Sequence, residues 1–485
     1  MCERNLKQNT VSRRVLQPRF VAVRSYRRMR IAWMVMALVP CVAAARGASG
    51  TEPATGPAGA GAVTTQPSGL HPASDAAIAT DRAIRYLTDR AKREPDNFAV
   101  QNKLAGYLLL RARETESSED LQFAKRAALA SLAAVGAEQN RSGLSALVQV
   151  ELASHEFAAA TKDASRLIKL DPSKIESYAL LADALLELGD YERAEETLRQ
   201  LQAREVDEVT FTGETRRARI ASLRGKTDAA REHLFTALAL ALEASVPSPQ
   251  PVAWCHWQLG ETDFACGRYE AAEKHYASAL DVSPKYAPVL GSMARVLAAR
   301  GDRIGAIKRY EQAVQLIRDP IFFAALGDLH QLAGRKMDAN QQYALVHACF
   351  QEKGADDAAH NREKAMFDAD HDLAPGAAYE AASREYKDRR DIYGADVVAW
   401  TALKAGKLPE AQVAMKDALR LGTKDARLLY HAGMIARAVG DRQQAREHLH
   451  AALALNPQFD PLQATLAVKA LEELNREATA SAPTR

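Results

Sequence analysis

Aromatic residues are scarce in this chain, 6% of its 485 residues. That poverty argues against a β-sandwich or barrel, whose strands need bulky side chains to pack on a pleated surface. Cysteines number five, and Cys2 and Cys41 lie in the first 46 residues. Of the rest, Cys255 and Cys266 fall eleven residues apart in one helical stretch, about 16 Å at the helical rise, too far for a disulfide. Cys255, Cys266 and Cys349 therefore read as small buried hydrophobes.

Catalytic signatures are missing too: no H-E-x-x-H, G-x-S-x-G or paired C-x-x-C occurs. Gly225-Lys226-Thr227 resembles the end of a phosphate loop, but that loop needs a glycine where Ile220 stands. Asp368-Ala369-Asp370-His371-Asp372 resembles the start of a calcium loop, which then needs Gly and Glu where Leu373 and Tyr379 stand. His448 and His450 point to different helix faces, and His360 and His371 lie about 16 Å apart along a helix. No enzyme activity, cofactor or metal is expected.

Positive charge is missing from the body. The net charge of +3 divides into +9 on residues 1–46, where nine arginines and Lys7 face Glu3, and −6 on the remainder, with 54 basic against 60 acidic residues. An acidic body lacks the basic patches that bind nucleic acid by counterion release. Hydrophobic residues make up 47% of the chain and alanine is prominent among them. That is enough apolar matter for a folded protein and points to helix.

Residues 1–46 read as an export signal. Arg24, Arg27, Arg28 and Arg30 precede an apolar stretch from Ile31 to Ala45 that ends in Ala43-Ala44-Ala45. The stretch is about 15 residues long and interrupted by Pro40, short of the about 20 needed to span a bilayer. A cleaved leader fits better than a permanent span, and the start lies at Met1 or at Met29. The body is expected to be exported, periplasmic or secreted, with anchoring through the leader as the alternative. Lipoprotein and twin-arginine readings fit worse, because Pro40 precedes Cys41 and Arg13-Arg14 lies far from the apolar core. Residues 47–74 form a Gly/Ala/Pro/Thr linker that cannot bury enough apolar surface to order itself.

From residue 98 the chain repeats. Glycines fall at 189, 225, 267, 301, 334, 406 and 440, with steps of 34, 33 and 34 where nothing intervenes. Seven residues before each stands Ala182, Ala218, Gly260, Ala294, Gly327, Ala399 or Gly433. Alanine follows each glycine by five, as at Ala272, Ala306 and Ala445, with larger apolar residues such as Tyr276, Tyr310 and Leu449 four beyond. Such a glycine ends one helix, and the i, i+4, i+7 apolar set is one face of a second. Pro172, Pro284 and Pro457 stop that second helix.

This pattern resembles the tetratricopeptide repeat family, whose 34-residue unit carries small and apolar residues at these offsets. Residues 253–286 match best, through Leu259-Gly260, Gly267, Ala272, Tyr276, Ala279 and Pro284, and residues 426–459 nearly as well. About ten units fit in register over residues 98–459, with His155 and Asp372 replacing glycine in two and an insertion around Glu114–Asp120 in the first. The resemblance implies an all-α fold, a right-handed superhelical solenoid of about ten helical hairpins. A capping helix is expected at 75–97, array segments at 98–245 and 253–459 around a Pro-rich loop at 246–252, and a capping helix with its tail at 460–485.

The family binds protein or peptide partners on a concave groove lined by the first helix of each hairpin. Its carboxylate clamp of Lys and Asn is not found: the corresponding positions Asp183, Arg219, Glu261, Arg295 and Asp328 alternate in sign, which disfavours a uniformly charged ligand. One of Trp254 and Trp257 is expected in the core and the other in the groove. The candidate groove residues are Trp254, Trp257, Glu261, Arg295, Asp328, Tyr430 and Arg437. The function expected is a non-catalytic exported scaffold with a protein or peptide partner, in contact with a cell-envelope assembly. A scaffold subunit of a polysaccharide or appendage export machine is the alternative. An enzyme carried on the solenoid has no motif behind it. No part of the body is expected to span a membrane.

Overall fold

The reason helices alternate with sharp turns lies in one backbone position per unit. Gly189, Gly225, Gly267, Gly301, Gly334, Gly406 and Gly440 all have positive φ, between 67° and 89°, where a side chain would be strained. His155 (φ 59°) and Asp372 (φ 56°) adopt the same left-handed conformation in two of the three units that lack a turn glycine. His155 stacks on Phe157 and Asp372 pairs with Lys404 at 2.6 Å, contacts that offset part of the about 1–3 kcal/mol such a conformation costs.

The computed structural model describes residues 75–480, apart from 116, 206–208, 246–247 and 353–357. The leader and the linker lie outside the described residues, as does the end of the tail at 481–485. Among the described residues there are 22 helices and no strand. Helix α1 (Asp75–Arg93) precedes ten antiparallel hairpins. The first five pair α2 (Phe98–Thr115) with α3 (Ser118–Ala134), α4 (Arg141–Ala153) with α5 (Phe157–Leu170), α6 (Ile175–Leu188) with α7 (Tyr191–Gln202), α8 (Phe211–Leu223) with α9 (Thr227–Leu242), and α10 (Pro249–Ala265) with α11 (Tyr269–Val282). The next three pair α12 (Ala287–Ala299) with α13 (Arg303–Val314), α14 (Pro320–Leu332) with α15 (Lys336–Glu352), and α16 (Ala358–Asp370) with α17 (Pro375–Glu385). The last two pair α18 (Ile392–Lys404) with α19 (Leu408–Ala418) and α20 (Ala426–Ala438) with α21 (Arg442–Leu455), and α22 (Gln463–Ala480) follows. No helix among them is long and apolar enough to cross a membrane.

Hairpin packing follows the small residues. A β-carbon on Gly260 or Gly327 would run into the ring of Tyr276 or Tyr343, and one on Gly433 into Leu449. Ala194, Ala272, Ala306, Ala411 and Ala445 are completely buried at the opposite face. The extra residues of the first unit lengthen its helices to 18 and 17 residues, and Ser117 caps α3 by accepting from the Asp120 amide. The proline segment differs from the expected loop at 246–252. Helix α10 already begins at Pro249, since proline is tolerated in a first turn where amides have no intrahelical acceptor. Phe211, Leu234, Leu238, Val252, Cys255 and Leu259 share one core cluster across that segment.

The array also touches itself at long range. The Arg390 amide donates to the Leu188 carbonyl at 3.2 Å. The Ile392 amide donates to the Tyr191 hydroxyl at 2.9 Å, and Arg389 pairs with Glu187. One hairpin further on, the Thr423 hydroxyl donates to the Leu223 carbonyl. One further again, Asn456 donates to the Phe264 carbonyl at 2.8 Å and accepts from the Tyr269 hydroxyl. Three successive hairpin turns thus receive the three links that precede α18, α20 and α22, six hairpins along the chain. The array therefore completes one superhelical turn in six hairpins and docks the next turn onto it.

Candidate functional site: a lumen in the C-terminal hairpins

Where the array closes on itself, the first helices α10, α12, α14, α16, α18 and α20 and the link before α22 enclose a cavity of about 1090 Å³. Trp257, Glu261, Arg295 and Asp328 of the expected groove residues line it.

Glu261 is the centre of one polar cluster. It accepts from Arg295 at 2.6 Å, the Ser292 hydroxyl at 2.7 Å and the Tyr276 hydroxyl at 2.8 Å. Burial works to raise its pKa, but Arg295 and these donors hold it below the ordinary carboxylate value. Ser292 in turn accepts from the Trp257 indole at 2.9 Å, and Trp257 sets its edge against Tyr286. Arg295 lies over the Phe264 ring at 4.3 Å. The tryptophan, the carboxylate and the guanidinium are thereby held in one orientation on the wall.

Asp328 forms a second cluster. It accepts from the Tyr343 hydroxyl at 2.8 Å and faces His371 Nε2 at 2.9 Å, while His371 Nδ1 faces the Phe367 carbonyl at 2.8 Å. Acceptors on both ring nitrogens favour the doubly protonated imidazolium. Burial lowers the His371 pKa, but Asp328 and the carbonyl outweigh it and leave it raised.

The remaining wall is acidic in a way the alternating first-helix positions did not foretell. Eight aspartates and glutamates line the cavity against three arginines and the His371 imidazolium, an excess of four negative charges. Several of these acids sit at the starts of first helices. Asp425 accepts from the Arg427 and Leu428 amides, and Asp460 accepts from the Leu462 and Gln463 amides and pairs with Arg427 at 2.8 Å. They are helix-capping residues, and the closing of the array turns them toward one space. Asp370 accepts from the Trp400 indole at 2.8 Å and the Gln463 side-chain amide at 2.5 Å, and burial raises its pKa. The signal for this ring was the aspartate before successive first helices, which reads as capping and nothing more.

Three expected groove residues lie elsewhere. Trp254 packs against Phe211 in the core between α8, α9 and α10, because it is three residues from Trp257 and falls on the neighbouring ridge. Tyr430 is 1% exposed and stacks among Trp400, His431 and Phe459. Arg437 is at the surface, paired with Glu473 of α22 at 2.6 Å. Asp183 and Arg219 also lie away from the cavity, paired with Arg216 and Glu187. Among the described residues no group of three or more His, Cys, Asp or Glu side chains is placed to hold a metal ion. Cys255 and Cys349 are buried and in no disulfide among the described residues, and burial pushes Cys255 up to about 12.

Family models described as tetratricopeptide repeat match residues 151–210, 253–277 and 426–459. No curated protein matches the sequence. Solved structures similar to this chain include a tetratricopeptide repeat protein from Parabacteroides merdae, with 16% identity over 55% of this chain and 98% of that one and a TM-score of 0.30. The APC/C hetero-tetramer Cut9-Hcn1 has 14% identity over 82% and 94%, with a TM-score of 0.31. The human IFIT1 dimer with PPP-AAAA has 14% identity over 72% and 79%, with a TM-score of 0.44.

Proposed function

Because this chain is a tetratricopeptide repeat protein, a scaffold suited to protein interaction, we propose that its lumen between α10 and α22 is where a protein partner docks. The observation that carries this reading is Trp257, half-buried on the cavity wall beside the Glu261–Arg295 pair and fixed by Ser292. A rigid, partly exposed aromatic beside a partly buried ion pair is a common make-up of an interface anchor. The family is typically non-catalytic, and the role assigned to this chain is that of a scaffold.

The test is a co-purification of the full chain and its Trp257→Ala variant from the native cell. The variant should lose the partner by about thirtyfold in affinity, near 2 kcal/mol, while its melting temperature falls less than for a fully buried tryptophan. Retention of the partner, or loss of the fold, removes Trp257 from the interface.

The proposed setting is outside the cytoplasm, in contact with a cell-envelope assembly. Its support is the leader: arginines, then Ile31–Ala45, then Ala43-Ala44-Ala45. N-terminal sequencing of the protein from its own cell should begin near residues 42–47; intact residues 1–40 in a cytoplasmic fraction would refute export.

A further inference from the structure

We propose that the segment docked in the lumen is cationic and apolar, and that Asp370 with the free carbonyl oxygen of Gln463 receives one of its lysine or arginine side chains. This rests on the reading of the lumen as the docking site and names the chemistry of its occupant.

The charge balance of the wall singles out Asp370. Glu261 is balanced by Arg295, Asp460 by Arg427, and Asp328 by His371. Among the described residues Asp370 accepts hydrogen bonds from neutral donors only, the Trp400 indole and the Gln463 side-chain amide, with Arg427 and His431 acting from a distance. Helix N-termini offset about half a charge each at the capping residues Asp319, Asp425 and Asp460, which reduces the excess of four without cancelling it, so the wall stays net negative.

A second observation points to the same spot. Gln463 is 5% exposed and lines the cavity, yet its Oε1 has no donor among the described residues. A buried carbonyl oxygen without a partner costs about 1–3 kcal/mol, and a carboxylate without a cation costs more. An ammonium or guanidinium has several donors and satisfies both together. Asp370 also lies where the main cavity meets a smaller one of about 380 Å³, so there is room for a long side chain. The remaining requirement is an apolar partner surface: Ile321 and Leu466 stand on the wall 54% and 49% exposed.

The experiment uses the full chain and two labelled synthetic helical peptides of one pattern, 16 residues of leucine with lysine and of leucine with glutamate. Fluorescence anisotropy should show saturable binding of the lysine peptide, weakening as salt rises, and at least tenfold weaker binding of the glutamate peptide. Asp370→Asn should reduce lysine-peptide affinity about tenfold. Because that change also touches the Trp400 hydrogen bond, Gln463→Lys serves as the second variant. It places an ammonium beside Asp370, and should hold the melting temperature while abolishing peptide binding. Equal binding of both peptides, lost in Trp257→Ala, would keep the docking site and overturn its charge preference. Unchanged affinity in Gln463→Lys would overturn the assignment of Asp370. Binding of neither peptide would overturn the docking site as well.

Discussion

Glu151 on α4 is a carboxylate with almost no water: it is 4% exposed and its Oε2 has no hydrogen-bond partner among the described residues. Burial, and then the nearby Asp163 and Glu156, push its pKa up to about 8. Lys125 opposes this, but its ammonium is engaged at 2.6 Å by Glu156. The folded state therefore holds a proton that the unfolded chain gives up near pH 4.5. Stability contributed by this group is full below that value and is lost as pH rises through about 8, by about 1.4 kcal/mol for each pH unit between the two. Glu151→Gln keeps the shape without the proton. Its melting temperature should match the parent at pH 5 and exceed it at pH 8. Parallel pH profiles for the two proteins would show that Glu151 ionises normally. Nothing in the sequence marks this residue, because a lone acid in an amphipathic helix reads as solvated and only its packing shows otherwise.

The hairpin is the scale at which the sequence was most legible. Turn glycines, small residues seven before and alanines five after are all local demands of one backbone geometry, so the same letters recur wherever it does. Even the exceptions obeyed it, since His155 and Asp372 take the left-handed turn that glycine takes elsewhere. The proline segment misled because proline reads as a breaker, whereas Pro249 and Pro251 fill the first turn of α10. Trp254 and Trp257 could not be told apart because adjacent ridges of one helix differ only in what packs on them. The register has a mutational signature. Ala306 is fully buried in the cluster containing Ala294 and Tyr310, so Ala306→Leu overfills the contact and should cost about 1–3 kcal/mol. Lys226 precedes α9, is exposed and makes no capping hydrogen bond; Lys226→Ala should stay within about 0.5 kcal/mol. Urea denaturation of both gives the comparison, and equal midpoints would mean that the register is displaced.

At the scale of the whole array, stacking of neighbours was the expectation, as in repeat proteins where each unit meets only the next. The long-range docking goes beyond it. Tyr191 and Tyr269 stand at one repeat position, two residues after a turn glycine, but that register does not say what they bond, and pairing them with Ile392 and Asn456 requires the accumulated pitch of six hairpins. The same pitch brings capping aspartates of distant hairpins into one lumen, which is why the acidic wall was not legible although every aspartate was in view. Two glycines separate local from long-range cost. Gly189 and Gly440 have similar φ, 76° and 88°, so alanine at either costs about 1–2 kcal/mol for the left-handed backbone. Around Gly440 there is open space, whereas a β-carbon on Gly189 would collide with the carbonyl of Arg390 and the amide nitrogen of Asp391. Gly189→Ala should therefore lose a further 1–3 kcal/mol, roughly the cost of overpacking, and should expose the Arg390–Leu188 hydrogen bond to faster amide exchange at Arg390. Gly440→Ala should leave that exchange rate alone. Equal destabilisation with unchanged exchange at Arg390 would mean that the turns lie apart in solution, and the lumen would then be an open groove.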